Sequence, residues 1–419
     1  MIKRLKKTGK YFLFTLIAVI VSINLFIILS GKFYIYKGLT NTYFVGKLRP
    51  GIYDKDFFYT SSLDPGVNKD PWMIDEFYNK QVIPQKDREM MEKLNTKAFL
   101  VFKGDSLLYE EYWDTHEIET VSNSWSMAKT VVGILVGIAI DEGEIGSIHD
   151  HVSKYIPDYK VGDRSEITIH NLLTMSSGLD WGESASNPLS DNAESLYGPE
   201  LNAHVKRQKL INKPGKTFDY MSGNTQLLGI ILQKATGKSV SVYAEEKIWK
   251  KIGMEYSAHW SLDKENGDEK AFCCLYSTAR DFGKIGKLIN NGGMYKGEQI
   301  IPANYYKEMV SMADLTTLEG IKNQRYGLHI WLYEGLTNPV YYCRGYMGQY
   351  IISIPNEDLT IVRLGDGKKT NFLIPESLKN NKAYVDKNKV KVGHAKGLFK
   401  YIEIGKMIVS QTKSLRNER

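Results

Sequence analysis

The longest uncharged apolar stretch of the chain runs from Tyr11 to Ser30 and follows five cations in the first ten residues. About twenty apolar residues suffice to cross a bilayer core of roughly 30 Å as a helix. Because cations stay on the cytoplasmic side, the pattern predicts 1–10 as a cytoplasmic basic segment and 11–30 as an uncleaved signal anchor, with the remainder outside. A cleavable signal peptide is the alternative, but no clear small-x-small site follows the run.

Two β-hairpins and a buried helix are predicted further along the chain. Residues 98–102 and 106–112 lie on either side of a Gly-Asp turn, and 350–354 and 359–364 flank a Pro-Asn-Glu-Asp turn. Residues 130–140 are apolar on nearly all faces, which indicates a buried helix. Shorter helices are predicted at 167–175, 224–234 and 242–252. Strands at both ends with helices between them predict an α/β domain, with one antiparallel sheet built from both ends of the domain and an inserted helical subdomain.

The same pattern divides the remainder of the chain into three segments. Residues 31–90, with scattered Gly and Pro, are interpreted as an extracytoplasmic stalk that wraps onto the domain. Residues 91–365 form the folded domain. Residues 366–419 form a basic C-terminal extension, which we expect to be flexible over 366–400 and amphipathic over 398–409.

Composition and charge remove several classes of protein. The chain has 419 residues, 42% hydrophobic and 25% charged, which excludes disorder and allows a large core. The net charge of +7 lies at the ends, because residues 1–10 carry +5 and residues 366–419 carry +8, leaving −6 for 11–365. An acidic middle is no electrostatic footprint for a nucleic acid, so nucleic acid is excluded as the main partner.

Cysteine and histidine spacing indicates neither a disulfide framework nor a metal site. Cys273, Cys274 and Cys343 are odd in number, with two adjacent, and lack zinc-ligand spacing, so we interpret them as buried core residues. His149 and His151 flank an aspartate in a polar segment, where solvated side chains are the simpler interpretation.

Candidate chemistry begins with Ser126 and Lys129, a Ser-x-x-Lys pair at the start of the apolar helix. Residues three apart share a helix face, and the free amides and positive dipole end there can stabilise an oxyanion. A lysine buried beside a serine loses proton affinity through desolvation and can serve in proton transfer. A serine cap with a solvated lysine is the alternative, but it does not explain a lysine on so apolar a helix.

Longer stretches around this pair resemble a known family. They are WSMAKTVVGILVGIAIDEG from 125, ITIHNLLTMSSGLDW from 167, FDYMSGNTQLLG from 218, STARDFGKIG from 277 and GYMGQYIISIPNEDLTIVRLG from 345. In this order they are similar to the β-lactamase-related serine hydrolases, which include class C β-lactamases, D-Ala-D-Ala peptidases, esterases and 6-aminohexanoate-dimer hydrolases. The resemblance covers roughly residues 95–365. It implies a β-lactamase/transpeptidase-like fold, a small-molecule or peptide substrate, no metal and no cofactor.

The resemblance also implies roles for individual residues. Ser126 matches the acylated nucleophile, Lys129 its proton-transfer partner, and Tyr220 the tyrosine of the family's Tyr-x-Asn motif, whose hydroxyl relays a proton to the leaving group. Ser222 stands where the family has the asparagine of that motif. The amide groups of Ser126 and Gln349 match the oxyanion hole.

The third family motif departs from its usual form. The triplet 346–348, Tyr-Met-Gly, stands where the family has Lys-Thr-Gly or His-x-Gly, so a hydroxyl is kept and a positive charge is lost. On a strand Arg344 lies on the same face as Tyr346, and we expect it to restore part of that charge. The residues expected to contact substrate are Ser222, Arg344, Tyr346, Gly348, Asp180 and Trp181.

These observations predict a membrane-anchored serine hydrolase that forms an acyl-enzyme on Ser126 and cleaves ester or amide bonds, with cell-wall peptides and β-lactams among the candidates. Its lipid partner is the bilayer, through residues 11–30. The expected location is a bacterial cytoplasmic membrane, with the catalytic domain facing the periplasm or exterior. The altered third motif favours an esterase or amidase over efficient β-lactam hydrolysis. The alternative is a non-catalytic or very slow-turnover protein that binds β-lactams or muropeptides at a degraded site.

Overall fold

The computed structural model describes residues 2–47, 49–184, 187–367, 372–373 and 393–418. Its helices are α1 (Ile2–Ser30), α2 (Tyr34–Asn41), α3 (Gln85–Lys93), α4 (Ala128–Asp141), α5 (Ile169–Leu173), α6 (Asp191–Tyr197), α7 (Leu201–Lys206), α8 (Ser222–Thr236), α9 (Val240–Ala244), α10 (Ala279–Asn290), α11 (Ala303–Met309) and α12 (Lys396–Asn417). Its strands are β1 (Thr60–Leu63), β2 (Met73–Ile74), β3 (Thr96–Lys103), β4 (Ser106–Tyr112), β5 (Ser122–Asn123), β6 (Thr217–Phe218), β7 (Ala258–Ser261), β8 (Leu275–Ser277), β9 (Met294–Tyr295), β10 (Glu298–Gln299), β11 (Thr316–Thr317), β12 (Trp331–Tyr333), β13 (Val340–Gly345), β14 (Gln349–Ile354), β15 (Leu359–Gly365), β16 (Phe372–Leu373) and β17 (His394–Ala395).

A seven-stranded sheet in the order β12-β13-β14-β15-β3-β4-β2 forms the centre of the fold. Both predicted hairpins are present, as β3–β4 and β14–β15, and β15 pairs with β3, so the sheet is built from two distant parts of the sequence. One expectation needs correction. The sheet is mixed and not purely antiparallel, because β2 pairs in parallel with β4. A smaller antiparallel sheet has the order β1-β7-β8-β5.

Helices cover both faces of the central sheet. Along β3 the side chains of Leu100 and Phe102 join the hydrophobic cluster that contains α10, and those of Phe99 and Val101 join the cluster that contains α12. This division follows from the two-residue period of a strand, which sends successive side chains to opposite faces. Because both faces are covered, β3 is buried along nearly its whole length and does not alternate between buried and water-facing residues.

The predicted buried helix is α4, and its residues from Ala128 to Ala139 are all buried. It packs against α8, which begins at Ser222. The other predicted helices correspond to α5, to α8 and to α9 with the π-helical turn Glu245–Trp249 that follows it. The packing of α4 on α8 matters for function because it brings position 129 beside position 222.

The two ends of the chain differ in how they meet the sheet. Within α1, Lys10–Ser30 has a mean hydropathy of 2.8 over 21 residues and is long and apolar enough to cross a membrane, a criterion that a signal sequence also satisfies. At the other end α12 packs on β3, β4 and β15. The expectation that the chain is flexible up to residue 400 is therefore wrong for the last residues of that segment, since α12 begins at Lys396. Residues 368–371 and 374–392 of that segment lie outside the described residues.

The cysteines are buried, as expected, but two of them are also paired. Cys273 and Cys274 are joined to each other by a disulfide, whereas the sequence analysis treats them only as core residues. Because the bonded residues are neighbours, the bond closes no loop between distant segments. Cys343 is a buried free thiol.

Candidate active site

Ser126 lies in the 3-10 turn Trp125–Met127, which leads directly into α4. Two backbone hydrogen bonds hold the turn: the Trp125 amide donates to the Asn123 side chain at 2.8 Å, and the Ser124 amide donates to the Leu275 carbonyl at 2.8 Å. Trp125 has a φ of 47°, in the left-handed region that a bulky residue seldom adopts. Backbone strain of this kind persists where the surroundings enforce it, and it occurs often at functional sites.

The ammonium group of Lys129 is buried beneath Ser126 and has three hydrogen-bond partners. Its Nζ lies 3.0 Å from Ser126 Oγ, 3.0 Å from Ser222 Oγ and 2.8 Å from the Phe272 carbonyl. Only 1% of the residue is exposed. Burial lowers the pKa of Lys129 to about 8, although the nearby charge of Glu183 opposes the change. A substantial fraction of the amine is therefore neutral at slightly alkaline pH.

Glu183 connects to this lysine through Ser222, and no motif in the sequence marks it as a site residue. Its Oε1 accepts a hydrogen bond from Ser222 Oγ at 2.7 Å, and its Oε2 accepts from the Ser222 amide at 2.7 Å and from Trp181 Nε1 at 2.7 Å. Since the hydroxyl proton of Ser222 goes to Glu183, its lone pairs remain to accept from Lys129. Trp181 thus helps to position this carboxylate, and its expected contact with substrate remains a prediction.

Tyr220 lies over the same lysine, with Lys129 Nζ 5.2 Å from its ring centroid. Burial, followed by the charge of Glu183, raises the pKa of the Tyr220 hydroxyl, while a hydrogen bond with Ser126 and the charge of Arg344 act in the opposite direction. The hydroxyl therefore stays protonated at neutral pH. A protonated hydroxyl can donate or relay a proton, but it does not act as a general base in the resting enzyme.

The altered third motif forms a turn and not a stretch of strand. Tyr346–Gly348 is a 3-10 turn between β13 and β14, and Met347 has a φ of 63°. The expectation that Arg344 and Tyr346 share the face of one strand is therefore wrong in its reasoning, although both side chains border the same cavity. The Tyr346 ring meets Trp125 edge to face at 5.7 Å, and the Arg344 guanidinium lies 5.7 Å from the Trp331 ring centroid.

A buried arginine supports that turn from behind. Arg363, on β15, donates to the carbonyls of Met347 and Gly348, both at 2.9 Å. In a planar trans peptide the carbonyl and the following amide point in opposite directions, so the Gln349 amide is directed away from Arg363. Gln349 itself is fully buried, and its side-chain oxygen accepts from the Gly365 amide at 2.9 Å. Its membership of an oxyanion hole remains a prediction.

These residues surround a cavity of about 630 Å³. The expected site residues that line it are Ser126, Tyr220, Ser222, Arg344, Tyr346 and Gly348. Lys129 lies beneath its floor. Asp180 does not border it: its side chain is exposed, and its amide donates to the Lys209 carbonyl at 2.7 Å.

Further walls of the cavity come from segments to which no role was assigned. Leu196 and Tyr197 contribute from α6, and Gly397 and Tyr401 contribute from α12. The charged residues along the walls are Glu183, Asp219, Glu319, Arg325 and Arg344. Among the described residues, no group of three or more His, Cys, Asp or Glu side chains is arranged to hold a metal ion.

The sequence matches the Beta-lactamase family over residues 85–378, well over half of the chain. The chain belongs to the Beta-lactamase family. The match contains Ser126, Lys129, Tyr220 and Ser222, so the cluster described above lies within the family domain.

Two curated relatives resemble parts of this Beta-lactamase-family chain. The 6-aminohexanoate-dimer hydrolase of Paenarthrobacter ureafaciens is 24% identical over 242 residues, which is 53% of this chain and 59% of that protein. Protein flp of Staphylococcus aureus strain MRSA252 is 30% identical over 166 residues, which is 37% of this chain and 30% of that protein. The chain thus spans less than two thirds of the length of either relative.

Solved structures share the fold. A Bacillus anthracis protein provisionally named a 6-aminohexanoate-dimer hydrolase superposes with a TM-score of 0.66 at 23% identity, over 75% of this chain and 87% of that one. A family VIII carboxylesterase superposes with a TM-score of 0.56 at 16% identity, over 78% of this chain and 99% of that one. At these identities the likeness shows the β-lactamase/transpeptidase-like α/β fold alone.

Proposed function

We propose that this chain is a membrane-anchored serine hydrolase that cleaves ester or amide bonds through an acyl-enzyme on Ser126. One observation carries the proposal: the buried Lys129 Nζ lies 3.0 Å from Ser126 Oγ at the base of the cavity. A buried amine with a lowered pKa beside a hydroxyl is the arrangement that activates a serine nucleophile. The anchor is α1, whose apolar part is long enough to span a bilayer.

The hydrogen bonds around Lys129 orient its amine for proton transfer from Ser126. When it is neutral, its two N–H groups donate to the Phe272 carbonyl and to Ser222 Oγ, whose own proton is held by Glu183. The nitrogen lone pair is then directed at Ser126. Lys129 takes the hydroxyl proton of Ser126 as Oγ forms a bond to the substrate carbonyl carbon.

The remaining steps use groups on the other side of the cavity. The tetrahedral oxyanion is bound by the amides of Ser126 and Gln349. The hydrogen bond from Arg363 to the Gly348 carbonyl supports this role, because it directs the Gln349 amide away from Arg363. The proton on Lys129 passes through the Tyr220 hydroxyl to the leaving oxygen or nitrogen as its bond to carbon breaks. Water then attacks the acyl-enzyme carbonyl and gives a proton to Lys129. As the bond between the acyl carbon and Ser126 Oγ breaks, Lys129 passes this proton to Oγ, which releases the acid and regenerates the free serine.

The substrate class follows from the cavity and from the relatives. A 6-aminohexanoate-dimer hydrolase among the relatives and a carboxylesterase among the similar structures favour amide or ester bonds. Tyr346 supplies a hydroxyl where a cation would orient a β-lactam carboxylate, so efficient β-lactam hydrolysis is disfavoured. Arg344, one of two arginines on the cavity wall, would receive a substrate carboxylate in place of that cation.

The test uses the full chain in detergent micelles, with intact mass measured after a fluorophosphonate probe and turnover of p-nitrophenyl acetate. We expect the wild-type chain to gain one adduct and turn over, and Ser126→Ala to lose both, with turnover reduced at least a thousandfold. Ser184→Ala, a second serine on the cavity wall, is the matched control and should keep both activities. Labelling without repeated turnover would instead favour the slow binding protein.

A further inference from the structure

The end of the apolar helix α1 lies against one wall of the cavity. Lys32, two residues beyond α1, forms an ion pair with Glu194 at 3.0 Å. Glu194 is on α6, and the adjacent Ala193 and the nearby Leu196 line the cavity. This salt bridge therefore connects the end of the candidate membrane span to the wall of the cavity.

Hydrogen bonds from helix α2 and the residues beside it hold α1 close to α6. The Tyr36 hydroxyl donates to the Asn24 side chain within α1 at 2.6 Å, and the Tyr34 hydroxyl donates to the Pro188 carbonyl just before α6 at 3.1 Å. The Asn41 side-chain amide reaches the Tyr197 hydroxyl at 3.4 Å. The approach at Gly38 is close, since a Cβ there would lie 3.3 Å from the Tyr197 ring. The domain is therefore held against α1 and not extended from it on a free linker.

Exposed apolar side chains flank α2 on both sides. Phe33 is 57% exposed, and in the turn Tyr43–Val45 the exposed fractions are 61%, 74% and 58%. Aromatic residues of this kind are enriched where proteins meet the headgroup region of a bilayer. Pro50, five residues after that turn, already lines the cavity, and five residues span at most about 18 Å.

We propose that Phe33 and the turn Tyr43–Val45 rest in the interface of the bilayer that α1 crosses, and that the cavity receives an amphiphile from the outer leaflet. The substrate class is an ester or amide carrying a long hydrocarbon chain. A substrate with a long hydrocarbon chain passes readily from the lipid into an active site only when that site lies at the membrane surface. Leu196, Phe218 and Trp331 supply apolar wall for it. This inference rests on the proposed function.

The activity test uses the full chain in vesicles of phosphatidylcholine and phosphatidylglycerol at three to one. The substrates are p-nitrophenyl palmitate carried in the vesicles and soluble p-nitrophenyl acetate. For Tyr43→Ser/Phe44→Ser we expect about a tenfold loss on the palmitate and less than a twofold change on the acetate. Val67→Ser, at a site 96% exposed in a loop beside Lys250, is the control and should leave both rates unchanged. Equal effects on both substrates, or no loss on the palmitate, would overturn the inference.

A second measurement reports on docking without any catalysis. Phe44→Trp adds a fluorophore to the turn, and vesicles containing brominated lipid quench tryptophan that reaches the interface. We expect the emission gained over wild type to be quenched, and unquenched emission would contradict the docking. If Ser126→Ala still hydrolyses p-nitrophenyl acetate, the proposed function fails while the quenching result still stands, so the two failures are distinguishable.

Discussion

The protonation of Lys129 is set by two opposing effects at the scale of single residues. Burial favours the neutral amine and brings its pKa to about 8, whereas the charge of Glu183 favours the ammonium form. Glu183 also keeps the Ser222 hydroxyl oriented as an acceptor. One carboxylate therefore orients the amine and at the same time limits how much of it is neutral.

Glu183→Gln separates these two effects. Removing the negative charge lowers the pKa of Lys129 further, so we expect the acidic limb of the kcat/KM profile, near pH 8 in the wild type, to move to lower pH. The plateau rate should fall about tenfold to a hundredfold, because Ser222 loses a hydrogen bond to a charged acceptor worth about 1.5–3 kcal/mol.

The matched control for this variant is Glu319→Gln, which removes another carboxylate from the cavity wall. Glu319 does not contribute to the pKa shift of Lys129, so the acidic limb should stay in place. A limb that moves to higher pH in Glu183→Gln, or that moves equally in both variants, would contradict this role for Glu183.

Sequence reasoning finds the residues whose chemistry is visible in a local motif and misses those whose role depends on distant contacts. Ser126 and Lys129 stand three apart on one helix, so their pairing is a local property. Glu183 acts on a residue 39 positions away, and Arg363 acts through backbone carbonyls of the turn Tyr346–Gly348. Nothing in the spacing of Glu183 or Arg363 distinguishes them from ordinary surface charges.

At the scale of elements, α4 is held in place by a glycine that allows another helix to approach. The Tyr305 ring of α11 packs directly on Gly137, and its hydroxyl donates to the Gly133 carbonyl at 2.6 Å. A Cβ at Gly137 would lie inside van der Waals contact with three ring atoms. The glycines of this helix therefore reflect packing and not a weak helix.

Gly137→Ala should destabilise the protein by about 1–3 kcal/mol, because overpacking exceeds the gain in helix propensity of about 1 kcal/mol. The check is the urea midpoint of the full chain in detergent. Gly397→Ala is the control: its Cβ would meet Tyr401 at 3.6 Å, an ordinary contact, and the midpoint should not fall. An unchanged midpoint in Gly137→Ala would show that Tyr305 can move aside.

The elements that sequence predicts well are those with a strong period of their own. The hairpins at β3–β4 and β14–β15 and the helix α4 fall into this group. The turn Tyr346–Gly348 is not visible in the sequence, because Met347 adopts the left-handed conformation and methionine is not a residue type that marks it. The predicted amphipathic stretch 398–409 lies within α12, which extends beyond it at both ends, from Lys396 to Asn417.

At the scale of the whole molecule, both ends of the chain reach the cavity. Pro50 contributes before the family match begins, and Gly397 and Tyr401 contribute after it ends. The division into a stalk, a domain and an extension remains a prediction, but the site draws on all three segments. Contacts of this range cannot be predicted from local pattern, because the folded sheet alone brings the two ends together.

A charged cluster joins the segment that follows α1 to the cavity wall. His204 on α7 lies 3.1 Å from Asp191 and 3.1 Å from Glu194 on α6, and Glu194 also binds Lys32. Burial alone would lower the pKa of His204, but hydrogen bonds to the two carboxylates raise it to about 9. The pKa values of Asp191 and Glu194 are lowered to about 2, so both stay ionised.

The raised pKa of His204 makes the fold sensitive to alkaline pH. A group with a higher pKa in the folded state contributes fully below its unfolded pKa of about 6.5, and that contribution disappears as pH rises through about 9. The loss amounts to at most about 3 kcal/mol. We expect the free energy of unfolding of the full chain to drop between pH 6.5 and 9.5 by clearly more in the wild type than in His204→Gln. Groups shared by both proteins cancel in this difference, so equal slopes would show that α6 does not depend on the charge of His204.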